Sequence, residues 1–209
     1  MKVGVALSGG GARGFAHIGV LKVLVENGIP IDLIAGTSAG AIVGGAYAAG
    51  MSIDEILAMA AEIGWTNMTR PSLSPLGALS NAPMGAFLKR KFPITDFAEL
   101  RVPFATVAYD VTDGCEIIYK GSGDMIFAIR ASCAVPGVFV PPRNEEGHLI
   151  VDGGVTNVIP ANIARDMGAD VVIAVDLLGV GETPGANPRT AAGIIITSAT
   201  AFLTRSALR

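Results

Sequence analysis

Val3-Gly4-Val5-Ala6-Leu7-Ser8-Gly9-Gly10-Gly11-Ala12-Arg13-Gly14 reads as a short apolar strand, a run of glycines and the opening of a helix. The spacing predicts that helix over Gly14–Glu26, with Phe15, Ile18, Leu21 and Val25 on one face. Asn27-Gly28 supplies its C-cap. A second strand, Asp32–Gly36, runs through Thr37-Ser38 into a second helix, Ala39–Ala49. Ser52-Ile53-Asp54-Glu55 reads as the cap and first turn of a third. Further strands are expected at Phe104–Tyr109 and Cys115–Tyr119, joined by the turn Asp113-Gly114. Helix Asp124–Ala131, strand Leu149–Val151, helix Ala161–Met167 and strand Val171–Leu177 follow. This alternation predicts an α/β fold, a three-layer α/β/α sandwich around a mostly parallel central sheet.

Composition limits what such a fold can do. The chain has 209 residues, 51% apolar and only 16% charged, which excludes a disordered chain. Its 27 glycines cluster without a collagen period, as expected for special turns and close backbone approach. A net charge of −3 gives no electrostatic case for nucleic acid. Cys115 and Cys133 cannot form a disulfide framework and fit a reducing compartment. Met1-Lys2 enters the first strand directly, so no secretory leader is expected. The uncharged stretch from Leu33 to Ile53 resembles a membrane span by hydropathy. Its residues are small rather than greasy, and Gly36–Gly40 reads as a turn, so a buried helix is expected instead.

Two stretches depart from the alternation. Ile63 to Thr95 has no acidic residue, carries Arg70, Lys89, Arg90 and Lys91, and is rich in Ser, Pro, Gly and Met. It reads either as a solvated surface loop or as a lid over an anionic, apolar ligand. Gly179 to Pro188 reads as a linker, and residues 189–209 as a docking helix.

The glycine run satisfies G-x-G-x-x-G through Gly9, Gly11 and Gly14. A dinucleotide site needs an acidic residue at the end of the next strand, where this chain has Thr37-Ser38. No Lys-Ser/Thr pair follows the glycines, so a Walker A loop fails too. An anion cradle of backbone amides at a helix N-terminus remains, and a transient oxyanion is one such anion. Gly36-Thr37-Ser38-Ala39-Gly40 then supplies a nucleophile. It is G-x-S-x-G between strand and helix, a tight turn that projects Ser38 at the carboxyl edge of the sheet. The competing reading is Ser38 as a helix N-cap.

A base for Ser38 must come from few candidates. His17 reads as a helix residue near the site, turned away from Ile18 and Leu21. His148 precedes Asp152 by four residues in one strand, which separates them by about 13 Å. A triad using both is therefore disfavoured. Asp152-Gly153-Gly154 ends that strand, and burial would raise the Asp152 pKa toward that of a useful base. The competing reading is a carboxylate that caps a turn. Cys133 reads as a buried structural thiol rather than a nucleophile lowered by Arg130. No cluster shows metal-ligand spacing.

Together these elements resemble the patatin-like phospholipase family in its short bacterial branch. Gly9–Gly14 is similar to the family oxyanion loop and Gly36–Gly40 to its nucleophile elbow. Ala131-Ser132-Cys133-Ala134-Val135-Pro136 is similar to its Ala-Ser-x-x-x-Pro block. Asp152-Gly153-Gly154, with Asn157 and Pro160, is similar to its base-bearing segment. The resemblance spans residues 3–177 and implies a single patatin-like domain over 1–209. It implies a serine hydrolase of lipid acyl esters with a Ser38–Asp152 dyad and neither metal nor cofactor. Gly9, Gly10, Gly11, Arg13, Gly14 and Ala39 would form the oxyanion hole, supported by Gly36, Gly40, Gly153 and Gly154; Arg13 would order the loop. The implied partner is a lipid or other acyl ester, not nucleic acid, and the implied place is the cytoplasm with peripheral contact at the inner membrane surface. Members of the family often run longer than this chain, which leaves its oligomeric state open. A catalytically silent adaptor on the same fold and a nucleotide-binding protein are the alternatives.

Overall fold

A computed structural model describes residues 1–178. The elements run β1 (Val3–Leu7), α1 (Phe15–Glu26), β2 (Leu33–Thr37), α2 (Ala39–Ala48), α3 (Ile53–Glu62), α4 (Trp65–Met68), β3 (Arg70–Pro71), β4 (Gly77–Ser80) and α5 (Ala82–Lys91). Then come β5 (Phe104–Asp110), β6 (Cys115–Lys120), α6 (Met125–Ser132), β7 (Gly137–Phe139), β8 (Ile150–Asp152), α7 (Ala161–Asp166) and β9 (Val171–Val175). The linker expected at 179–188 and the docking helix expected at 189–209 lie outside the described residues.

Every residue of β1 and β2 is buried, as strands covered on both faces must be. The main sheet has the order β6-β5-β2-β1-β9. β2 pairs in parallel with β1 and β5, and β1 in parallel with β9. Val5, Leu7, Ile34 and Phe104 face a large apolar layer with residues of α1, α2, α3, α5 and α6. Ala6, Leu33, Ala35, Ala105 and Val107 face the opposite way, onto Ile163 and Ala164 of α7. The fold is thus the expected α/β arrangement with a mostly parallel central sheet.

β5 departs from the parallel pattern and positions the site. β6 returns antiparallel through a turn at Gly114, whose φ is +71°. On its other edge β5 pairs with β2 only up to Thr37↔Val107. From Ala108↔Asp152 onward the same edge is taken over by β8, running antiparallel. β2 and β8 therefore point their carboxyl ends at each other along one strand. Ser38 follows the last residue of β2, and Asp152 is the last residue of β8.

Two expectations need correction, on α1 and on 63–95, while the buried helix expected within Leu33–Ile53 is found. The buried stripe of α1 is His17, Ile18, Leu21 and Leu24, whereas Phe15 and Val25 are exposed. His17 is tolerated there because its Nε2 meets the carbonyl of Ser8 at 2.8 Å. The stretch 63–95 is not a loop: α5 buries Met84, Phe87 and Leu88, and β3-β4-β7 form a second small sheet. Its first part, from Ile63 to Thr69, lines the site cavity described below together with Met84 of α5. The membrane-like stretch is β2 and α2 followed by a turn, and no helix among the described residues is long and apolar enough to cross a membrane.

Candidate active site

Ser38 has φ +52° and ψ −115°, and it is the only residue other than glycine with positive φ among the described residues. Such a conformation persists only where its surroundings impose it. Here they do. A Cβ on Gly36 would meet the carbonyl of Gly40 at 2.5 Å, and a Cβ on Gly40 would strike the carbonyl of Leu7. The glycines let α2 start hard against the ends of β1 and β2. The Ser38 carbonyl accepts the amides of Ala41 and Ile42, while its side chain makes no cap bond. Ser38 therefore does stand at the N-cap of α2, but only its backbone takes part, and the hydroxyl is left for other work.

That hydroxyl donates to Asp152 Oδ2 at 2.7 Å, across 114 residues of sequence. Asp152 is 6% exposed. Burial pushes its pKa from 3.8 up to about 6, against the opposing effect of hydrogen bonds from the Gly154 amide and Ser38. The Gly154 amide donates to Oδ1 at 2.7 Å, which leaves Oδ2 for the serine. Gly153 has no room for a Cβ because the Val107 carbonyl occupies that space.

The block from Ala131 to Pro136 fastens both partners. Ser132 Oγ accepts the Ser38 amide at 2.8 Å, and the Ala134 carbonyl accepts the Asp152 amide at 3.0 Å. Sequence reading noted this block only as a resemblance; these contacts give its physical role. Cys133 between them is buried against the site. Burial, then the Asp152 charge, pushes its thiol well above its ordinary range, so it is no thiolate nucleophile.

The glycine loop lies directly over the serine, since a Cβ on Gly9 would be 3.5 Å from Ser38 Cβ. The loop is tied at both ends. Gly9 donates its amide to Val158 O at 3.0 Å, and Arg13 Nη1 donates to Leu177 O at 3.1 Å. Arg13 thus orders the loop. Gly14 lets the start of α1 pack on Ala39, where a Cβ would come within 2.8 Å. The amides of Gly9 and Arg13 are already engaged, the latter by Gly10 O, which corrects their expected place in an oxyanion hole. Gly10, Gly11 and Ala39 donate their amides to no acceptor among the described residues.

Neither histidine hydrogen-bonds to Ser38 or Asp152. His148 Nδ1 lies 2.9 Å from Asp110 Oδ2, and this bond raises its pKa. His17 is fully buried on the sheet side of α1, not turned away from Ile18, and burial lowers its pKa. Asp110, Asp113 and His148 do bring three ligand-type atoms within 4.8 Å of one another, which sequence spacing did not show. Asp110 is already occupied, however, by the amides of Thr112 and Asp113 and by His148.

A cavity of about 400 Å³ opens beside Ser38. Its wall is almost wholly apolar and includes Ile42, Ile56, Met59, Trp65, Met84 and Phe139. A polar dyad at the edge of an apolar cavity is the arrangement that an acyl ester fits.

Comparison with known proteins identifies the family. Residues 5–165 match the family model described as patatin-like phospholipase. The chain belongs to the patatin-like phospholipase family. It is 37% identical over 191 residues to patatin-like phospholipase domain-containing protein 6 of Homo sapiens, an alignment covering 87% of this chain and 14% of that protein. It is 38% identical over 181 residues to an uncharacterized NTE family protein of Mycobacterium tuberculosis, covering 85% of this chain and 49% of that one. Among solved structures, VipD from Legionella pneumophila superposes with a TM-score of 0.58 at 17% identity, covering 75% of this chain and 46% of VipD. That likeness shows the patatin-like fold. The chain spans less than half the length of each of these relatives.

Proposed function

We propose that the protein is a serine hydrolase of lipid acyl esters that works through a Ser38–Asp152 dyad and assigns no step to a metal. The observation that carries this reading is the 2.7 Å bond from Ser38 Oγ to a buried carboxylate. In the first half-reaction Asp152 takes the Ser38 proton as Oγ attacks the ester carbonyl. The oxyanion that develops is held by the amides of Gly10, Gly11 and Ala39. One donor of this kind is worth about 10²–10³ in rate. Collapse expels the alcohol, which leaves with the proton from Asp152, and an acyl-Ser38 ester remains. Water then attacks that ester with Asp152 again as base, Asp152 returns the proton to Ser38 Oγ as it leaves, and the fatty acid departs. A carboxylate with a pKa near 6 is ionised at neutral pH yet basic enough to share the serine proton.

The acyl chain occupies the apolar cavity. Since a cavity of ~150 Å³ encloses one benzene ring, about 400 Å³ takes roughly sixteen carbon atoms. The test is a fluorophosphonate serine probe beside turnover of a long-chain acyl ester. Wild type is labelled and turns over; Ser38→Ala and Asp152→Asn, both folded, do neither. Full activity in Asp152→Asn overturns the dyad. Absence of labelling in folded wild type, with lipid vesicles present and absent, overturns the hydrolase reading in favour of a silent adaptor.

A further inference from the structure

The cavity does not end in water-loving side chains. Trp65 lines it and is also 73% exposed, and Phe15, which lines it too, is half exposed. The chain leaves Trp65 through α4 and enters β3, then loops back into β4. That loop carries Leu73, which is fully exposed, and Leu76, which is 44% exposed. Apolar side chains held out in water on one continuous segment mark a contact surface. Arg70 is exposed between Trp65 and Leu73. Farther along the acid-free stretch 63–95, α5 ends in Lys89 and Arg90, both exposed. Among the described residues none of these three cations forms an ion pair, whereas Lys91 is taken by Glu62.

The geometry points to residues 65–76 as the segment that docks the protein onto an anionic phospholipid bilayer, with Trp65, Leu73 and Leu76 entering the surface and Arg70 meeting lipid phosphate. This inference rests on the acyl hydrolase reading and names where that enzyme meets its substrate. The argument for a bilayer over a protein partner is continuity. Trp65 belongs both to the wall of the acyl cavity and to the exposed rim, so a lipid tail passes from the bilayer into the cavity without crossing water. An apolar tail strongly resists water, and an amphipathic surface with aromatic and basic residues is what a bilayer interface takes up.

The sequence contains a single tryptophan, so emission reports on position 65 alone. The full chain carrying Ser38→Ala, which cannot digest the vesicles, is mixed with phosphatidylglycerol/phosphatidylcholine vesicles and with phosphatidylcholine vesicles. The expected result is a blue shift and co-sedimentation with the anionic vesicles, weakened by high salt. Leu73→Asp in that background lowers vesicle partitioning at least tenfold. Leu73→Asp alone leaves turnover of a water-soluble short-chain ester unchanged, since Leu73 does not line the cavity. No shift with anionic vesicles, or Leu73→Asp partitioning like its parent, overturns the docking surface. Equal partitioning to both vesicle types overturns its anionic preference. Loss of short-chain turnover in wild type would instead refute the hydrolase reading, so the two failures are told apart.

Discussion

Asp152→Asn should stabilise the protein while abolishing its activity. The Asp152 pKa rises from 3.8 to about 6 on folding, chiefly because burial disfavours the charged form. Between those values the folded protein holds a proton that the unfolded chain has released, so stability falls as pH rises through that window. Above pH 6 the whole penalty is present. At 1.36 kcal/mol per pH unit it amounts to about 3 kcal/mol. Asparagine is nearly isosteric and neutral. Its Oδ1 still accepts the Gly154 amide, and its Nδ2 donates to Ser38 Oγ in place of the bond that Oγ now donates. The variant therefore escapes the charge penalty with its packing intact. Urea unfolding should show it about 3 kcal/mol more stable than wild type at pH 8 and nearly equal below pH 4. For a domain of this size, about 2–4 °C per kcal/mol makes the thermal shift at pH 8 about 6–12 °C. Equal or lower stability of the variant at pH 8, or a gain that does not change with pH, would show that the carboxylate is not held against its preference.

The same carboxylate sets the pH profile: kcat/KM on a soluble ester should climb with pH, reach half its plateau near pH 6 and show no second limb from a histidine. A rate independent of pH down to 4 contradicts Asp152 as base. Gly40→Ala should cost about 1–3 kcal/mol or more, because its Cβ is driven into the Leu7 carbonyl. Gly19→Ala, with open space on exposed α1, should add about 0.5–1 kcal/mol; urea midpoints check both.

What sequence reading reached was local. The glycine loop and the elbow each need a particular turn, and turns are written in a few adjacent residues. Ser38 and Asp152 stood out as candidates because each sits at a strand end beside glycines, and the structure brings them within 2.7 Å of each other. What sequence reading missed depends on contacts between distant residues. The α1 stripe was misplaced because His17 counts as polar until the Ser8 carbonyl is seen to satisfy it. The composition of 63–95 suggested a loop, yet Met84, Phe87 and Leu88 pack into the core. The roles of Ser132 and the Ala134 carbonyl required the elbow and β8 to be placed together in space. The approach of His148 to Asp110 likewise depends on β8 running antiparallel to β5.

β8 contributes only three residues to the sheet and is held to β5 by three register pairs. Short segments of this kind open more readily than the domain unfolds. An opening of β8 that also broke the bond from the Asp152 amide to the Ala134 carbonyl would carry Asp152 away from Ser38 while β1, β2 and β5 stay paired. The proposed catalysis would thus depend on a smaller cooperative unit than the one that melts. Amide exchange of Val151 and Asp152, more than the melting temperature, marks the upper limit of the conditions under which the dyad stays assembled.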